Sequence, residues 1–422
     1  MSGRIFLSTA FLILFLSSAI FSQEIDRNYL QVEEPSAGNF FGVGARAMGM
    51  GGAQIATAND ASGLVYNPAR LAKVKRIEFS GGMTHQRIEN ETGDLRYVQF
   101  LSSYYQNQSI TQSNTRFSSA NIVLPVPTYR GSLVFALGFN RMKSFDHAFH
   151  STSIYTTNNT IALDALALET GGINMWSFGG AIDLSPNISV GGAVNYWKGQ
   201  DDYLQEYNLP DVPVMERNRY LYDYSGWNAK LGFSVDAAKF LSLGATIDFP
   251  TKFSIDQDFS FHYDSSGSVQ EYEELGHYDL THPYSFGAGG ALNFKYVTLA
   301  GDINYTDWSQ LEPSARAGVD NRLYQEIYQD VTSWHVGAEF ALPKLATKLR
   351  AGFYADPIPF KSVYLKTDRR YFTLGAGFLI DQVMTLDVAW NHGVNEFRDD
   401  FSQMIKESYT TDKFFVSLAY RL

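Results

Sequence analysis

Val297-Thr-Leu-Ala-Gly-Asp-Ile-Asn-Tyr305 sets Val297, Leu299, Ile303 and Tyr305 on one side of an extended chain and Thr298, Ala300, Asp302 and Asn304 on the other. Successive strand side chains point to opposite faces, so this segment builds one apolar and one polar wall. The period recurs in Leu241, Leu243, Ala245, Ile247 and Phe249, in Trp334, Val336, Ala338 and Phe340, and in Met384, Leu386, Val388 and Trp390. The apolar wall often ends in Trp, Tyr or Phe, as the aromatic girdles of a bilayer-spanning barrel do. The polar wall is small or charged, which suits a lumen.

A soluble β-sandwich also alternates, and the spacing of the segments separates the two folds. Strand centres fall at Phe79, Ile122, Phe135, Phe178, Ala193, Leu231, Ala245, Gly287, Asp302, Val336, Gly352, Gly375, Val388 and Leu418. Short links at 125–131, 185–187, 237–240, 295–296, 343–346 and 381–382 alternate with long ones at 86–117, 146–172, 199–222, 261–280, 311–330, 361–370 and 397–411. Short periplasmic turns and long outer loops on an even-stranded barrel produce this alternation. The fold expected is therefore all-β, a transmembrane antiparallel barrel of about 14 strands. The chain ends on a strand with Phe414, Val416, Leu418, Tyr420 and Leu422 on one face. A final amphipathic strand of this kind resembles the signal read by barrel-assembly machinery, an expected partner during biogenesis.

Residues 1–22 carry one cation, Arg4, then an apolar run and small residues, the layout of a secretory signal peptide. The absence of Cys excludes a disulfide, a cysteine nucleophile and a thiolate-bound metal. A net charge of -11 argues against a nucleic-acid partner. Charged residues are 18% of the chain, below the roughly 25% of soluble domains, as a wall facing lipid requires. The expected organisation is a signal peptide at 1–22, a segment inside the barrel at 23–75, and the barrel at 76–422.

The segment before the first strand differs in kind. Gly42-Val-Gly-Ala-Arg-Ala-Met-Gly-Met-Gly-Gly52 is built of small residues, and its glycines permit tight turns and close packing. A short helix is expected at 52–58, with Asn59 and Asp60 capping a second turn. Such a compact piece fits inside a wide barrel as a plug.

Here the sequence resembles the FadL family of outer-membrane long-chain fatty-acid transporters. The resemblance lies in Gly44-Ala-Arg-Ala-Met-Gly-Met-Gly-Gly-Ala, in Ala58-Asn-Asp-Ala-Ser and in Tyr66-Asn-Pro-Ala-Arg-Leu-Ala72. It extends through Leu299-Ala-Gly-Asp-Ile-Asn-Tyr-Thr-Asp-Trp-Ser309, Leu349-Arg-Ala-Gly-Phe-Tyr-Ala-Asp-Pro357 and Asp368-Arg-Arg-Tyr-Phe-Thr-Leu-Gly-Ala-Gly377. It implies a monomeric fourteen-stranded barrel, plugged by an N-terminal hatch, that takes a hydrophobic ligand from outside and releases it sideways into outer-membrane lipid. Gly49, Gly51, Gly52, Asn59, Asp60, Asn67, Pro68 and Ala69 are then hatch residues. Arg70 stands where the family motif usually has Gly. PorV-like components of the type IX secretion system look similar in fold and hatch and do not transport fatty acids, so a non-transporting assembly role is the alternative.

Ligand contacts are expected at Phe40 and Phe41 and at Ile161, Leu163, Leu166 and Leu168. The last four belong to Ile161-Ala-Leu-Asp-Ala-Leu-Ala-Leu168, read as an apolar helix in an outer loop that lines a capture groove. No cofactor or metal is expected. Asp146, His147 and His150, and His277 with His282, are loop residues without the scaffold a metal needs. Gly42-Val-Gly-Ala-Arg-Ala47 lacks the βαβ context of a dinucleotide fingerprint. Asp183, Lys230, Asp248, Asp302, Glu339, Arg350 and Asp387 read as a mutually neutralising lumen that fixes the plug, and no Gly-x-Ser-x-Gly elbow points to an enzyme.

Overall fold

The computed structural model describes residues 42–93, 97–98, 103–155, 160–209, 214–265, 267–313, 328–359, 368–399 and 405–422. Fourteen antiparallel strands close into a barrel. They are β1 Glu78–Gly93, β2 Gln108–Val126, β3 Leu133–Ser144, β4 Ile161–Ser185, β5 Ile188–Leu209 and β6 Val214–Ala238. Two broken strands follow, β7 (Leu241–Asp248, then Thr251–Ser265) and β8 (Ser268–His282, then Ser285–Asn293). The wall is completed by β9 Val297–Asp307, β10 Asp330–Leu342, β11 Thr347–Pro357, β12 Asp368–Ile380, β13 Met384–Asp399 and β14 Ile405–Arg421. The last strand pairs with the first from Glu78↔Arg421 to Gly93↔Lys406, which closes the cylinder. The breaks in β7 and β8 lie side by side at Pro250 and Pro283, which have no N–H to give a ladder. Pairing resumes on both sides of them.

The alternation read from the sequence sorts inside from outside. In β9, Leu299 and Ile303 are 44% and 56% exposed, whereas Ala300 and Asp302 are 9% and 3% exposed. Trp176, Trp227, Leu231, Phe286, Trp334, Phe372 and Phe414 are likewise exposed around the outside, the surface that meets hydrocarbon. All fourteen expected strand centres fall within strands.

Two expectations are corrected. Much of the chain assigned to long outer loops is strand: β4, β5 and β6 rise continuously through 161–185, 188–209 and 214–238. The segment 161–168 is the start of β4, not a helix. It pairs with β5 from Asp164↔Asn208 onward and with a strand at His147–Tyr155. Two flanking strands offer its backbone a ladder on both sides, and that outweighs the helix propensity of Ala and Leu. A register shift pairs Leu163 with Ser153 but Ile161 with Ile154, so the four expected contact residues are divided, Leu163 on one face of the strand and Ile161, Leu166 and Leu168 on the other.

Replacing Ile303 with Arg places a cation on the lipid face. The folded barrel should lose about 2–4 kcal/mol if this site lies near the bilayer midplane. Equilibrium denaturation of the folded protein in phospholipid vesicles measures the loss, and an unchanged midpoint would contradict the assigned orientation.

Candidate functional site

Residues 42–74 lie against the inward faces of the wall. Gly51 and Gly52 have φ of 63° and 79°, left-handed angles that end helix α1, Ala45–Gly49, in a tight reversal. That reversal also corrects the expected helix at 52–58, which is instead a series of turns closed by Thr57 N and Ala58 N donating to Gln54 O. The Asp60 carboxylate accepts from Ser62 N at 3.0 Å and leads into helix α2, Gly63–Tyr66. Asn67 Oδ1 accepts from Ala69 N at 3.1 Å and starts a 3-10 turn at Pro68–Lys73.

Contacts run around the whole cylinder. Ala45 N donates to Ser417 Oγ of β14 at 2.9 Å, and Gly51 N donates to Thr373 Oγ1 of β12 at 3.1 Å. His335 Nδ1 of β10 lies 2.6 Å from Gly51 O. The Asp302 carboxylate of β9 accepts from Gln54 N at 2.5 Å and Ile55 N at 2.8 Å. Asn67 Nδ2 donates to Ile55 O at 2.8 Å and to Phe233 O of β6 at 3.1 Å, and Ala61 N donates to Glu78 of β1 at 2.9 Å. Leu64, Leu71 and Val74 pack on Val123, Val134, Ala136, Ala181 and Ala193 of β2 to β5. Each large side chain so buried contributes roughly 1.5–3 kcal/mol.

The wall is stripped to backbone where the plug touches it. A Cβ added at Gly352 would stand 2.3 Å from Gly51 N, and one at Gly337 would stand 2.3 Å from Met50 O. At Gly191 and Gly244 it would meet Pro68 C and Ile55 O at 2.5 Å. Polypeptide therefore fills the lumen at this level. The inward charges pair as expected: Arg350 with Glu339 at 2.8 Å and Asp387 at 2.5 Å, and Lys230 with Asp248 at 2.9 Å. Arg46 of the plug reaches Asp60 at 2.7 Å and Glu339 at 3.9 Å, and also Asn59. Arg70, in the place of the usual Gly, is bound to Asp236 at 3.2 Å. Burial alone would raise the Asp60 pKa. The Arg46 charge, with hydrogen bonds from Ser62 and Arg46, outweighs this and holds it down to about 2.

Above the plug the wall has a seam. β2 and β3 pair from Val126↔Leu133 only as far as Ser119↔Asn140. Beyond that, β2 continues paired with β1, while β3 slips register against β4 between Arg141 and Lys143. Arg116 of β2 reaches across to Asp146 at 2.9 Å. A cavity of about 50 Å³ lies at this seam, bounded by β1, β2, β3, β14 and plug residues 42–44. The lumen of the upper β5–β8 wall is aromatic. Tyr220 and Phe259 are 4.7 Å apart, Phe253 and His282 4.8 Å, His282 and Trp308 5.1 Å, and Phe145 and Tyr224 5.7 Å. The period-two run Tyr220, Tyr222, Tyr224 marks this lining in the sequence, inside and beside a stretch read as loop. A second groove, of about 590 Å³, lies among outward residues such as Phe135, Gly180, Leu231 and Ile247 and faces the bilayer.

Phe40 and Phe41 lie outside the described residues. The histidines singled out are occupied individually: His147 faces Tyr409 Oη at 2.9 Å, His150 faces Asp164 at 2.8 Å and His277 faces Asp256 at 2.7 Å. Among the described residues no group of three or more His, Asp and Glu side chains could hold a metal ion.

Residues 20–398 match the family described as outer membrane protein transport protein (OMPP1/FadL/TodX). The chain belongs to that family. Members of the OMPP1/FadL/TodX family are outer-membrane transporters of hydrophobic compounds, so the chain is a bacterial outer-membrane transport protein and not an enzyme. A sequence search of curated proteins found no match. Solved structures share the fold. The Pseudomonas putida toluene transporter TodX is 15% identical, with a TM-score of 0.66 over 90% of this chain and 99% of that one. A Pseudomonas aeruginosa FadL homologue is 13% identical, with 0.64 over 91% and 99%. The Ralstonia pickettii toluene transporter TbuX is 14% identical, with 0.57 over 90% and 98%.

Asp302→Ala leaves the amides of Gln54 and Ile55 without their acceptor, at about 1–3 kcal/mol for each buried donor. Faster protease cleavage within residues 42–74 and raised ion conductance in planar bilayers are expected, and unchanged values would refute the latch. The Asp60 pKa is depressed, so its contribution is full above the ordinary value of 3.8 and is lost as pH falls toward about 2. Plug docking followed by protease sensitivity should weaken across that window in the parent, and less in Asp60→Asn.

Proposed function

We propose that the protein carries hydrophobic small molecules, long-chain fatty acids among them, across the outer membrane by diffusion, with sideways exit at the β2–β3 seam. One observation carries this reading: pairing of β2 with β3 stops at Ser119↔Asn140, just above a lumen filled by residues 42–74. A ligand descending through the aromatic upper lumen meets backbone below it and an unpaired stretch of wall beside it. Transfer from water to an apolar site gains roughly 25 cal/mol per Å² of apolar area, and exit into lipid keeps that gain.

On this reading residues 23–75 act as the hatch and 1–22 as a signal peptide. The hatch residues are Gly49, Gly51, Gly52, Asn59, Asp60, Asn67, Pro68 and Ala69. Phe40, Phe41, Ile161, Leu163, Leu166 and Leu168 are ligand contacts, although Leu163 faces away from the other three residues of its strand. The final strand addresses the chain to barrel-assembly machinery, and the barrel works as a monomer. A second reading, a non-transporting component of a secretion apparatus, is favoured by one feature: the aromatic side chains of the upper lumen pack on one another.

Ser118 and Met142 are both buried and line the seam cavity from opposite strands, and the chain has no native Cys. With both changed to Cys and bridged by a short bis-maleimide, uptake of labelled oleate by a host without its own transporter should fall to background. The unbridged variant should transport as the parent does. Full uptake in the bridged form would sink lateral exit, and no uptake by the parent would favour the secretion reading.

A further inference from the structure

We propose that the outside of the barrel holds an anionic phospholipid of the periplasmic leaflet, its acyl chains in the groove across β3 to β7 and its phosphate between Arg130 and Lys239. The site is on the lipid-facing wall and does not depend on the transport reading. The groove exists because side chains are missing there: Gly180 and Gly192, on the outward faces of β4 and β5, pair directly with each other. Phe135, Ile182, Leu231, Phe233 and Ile247 stand around them. From β3 to β7 the groove spans roughly 19 Å, at about 4.8 Å per strand spacing. One leaflet's hydrocarbon is about 15 Å deep, half of a core of roughly 30 Å, so the groove takes an acyl chain along most of its length. A hollow left empty in hydrocarbon forfeits the dispersion contacts of its lining.

The rim below decides the charge of the occupant. Short turns face the periplasm in barrels of this kind. In three of them, Tyr129-Arg130, Lys239-Phe240 and Phe294-Lys295-Tyr296, an exposed cation stands beside an exposed aromatic ring. Such rings sit at headgroup level, which puts the cations at phosphate depth. Along the chain Arg130 lies at most about 11 Å from Leu133 of the groove, and Lys239 at most about 22 Å from Phe233. The acids nearest the groove, Asp183 and Asp236, are turned inward and face the plug cations Arg70 and Lys73. Among the described residues no ion pair claims Arg130 or Lys239. Asp381, the exposed acid at this end among the described residues, lies on the far wall between β12 and β13. Asp256, Asp258, Glu271, Glu273 and Glu274 are exposed at the opposite end of the barrel. The negative charge of the chain is thus kept away from the groove.

Native mass spectrometry tests this on the full-length folded protein, delipidated in a neutral maltoside and titrated with dioleoyl phosphatidylglycerol or dioleoyl phosphatidylcholine. The two lipids share their chains and differ in net head charge. Phosphatidylglycerol should bind at least about tenfold tighter, at roughly fivefold for each Lys or Arg beside an anionic lipid. Arg130→Gln together with Lys239→Gln should abolish that preference, and Lys344→Gln, on the other side of the barrel, should leave it intact. Gly192→Leu fills the groove and should weaken both lipids alike; its added Cβ meets the tip of Leu231 at 3.2 Å, a side chain that can turn aside. Folding of each variant is checked by its heat-dependent shift in electrophoresis. Equal affinity for the two lipids overturns the site. So does a loss in Lys344→Gln as large as in the double variant, the mark of diffuse charge. A protein dimer in place of bound lipid, dissolved by Gly192→Leu, assigns the groove to a second copy and overturns it as well.

Discussion

A backbone amide inside a bilayer has no water to turn to, and each one left unpaired costs several kcal/mol. Closure of β1 onto β14 meets that constraint over sixteen consecutive pairs. The same closure makes a wall that lipids cannot pass, so any stretch of strand without a neighbour inside the hydrocarbon matters. Among the described residues the upper half of β8, 268–279, also pairs on one side only, with β7. Its residues 268–275 are exposed and rich in Glu, so it stands in water, where a missing partner costs little. The edge of β2 above Ser119 is different. Phe117, where the edge begins, is 55% exposed and apolar, so lipid can reach that end of it, while the outward Ser109, Thr111, Ser113 and Thr115 beyond are polar.

The plug is the complement of that gap. A lumen of this width could be left open, as in diffusion porins, and would then pass ions and sugars and give an apolar solute nowhere to rest. Here the wall gives up side chains at Gly191, Gly244, Gly337 and Gly352 so that plug backbone can touch wall backbone. Wall glycines lack the side chains whose packing supports a strand, and they are used where a second backbone must approach closely. Asp302, Glu78 and Thr373 of the wall then satisfy amides, and Thr373 also a carbonyl, that the plug, being mostly turns, does not pair within itself.

Much of this was legible in the sequence, because a barrel wall is a repeated period of two. Leu299 and Ile303 outside with Ala300 and Asp302 inside needed only the alternation. Asp302, Glu339, Arg350 and Asp387 were readable as inward groups by the same rule. The extent of the strands was not. In segments such as 199–209 and 214–222 the outward face turns polar, with Gln200, Asp202, Glu206, Arg217 and Arg219, once the strands leave the bilayer, so the contrast that reveals a strand fades there although pairing continues. The segment 161–168 failed for a related reason: Ala and Leu alternate too weakly to separate a strand from a helix, and its flanking strands decide. The seam was invisible because it is a missing pairing, and no residue type marks the place where a ladder stops.

The seam and the plug meet in one place. Gly42, Val43 and Gly44 begin the described part of the plug, and they also bound the cavity between β1, β2, β3 and β14. Val43 N donates to the Tyr66 hydroxyl at 2.9 Å, and Ala45 N is fixed on Ser417, so this corner of the plug is tied both to its own second helix and to the wall. The cavity therefore brings three things together: the paired charges of Arg116 and Asp146 that cross the seam, the strand that has slipped register at Arg141, and the first turn of the plug.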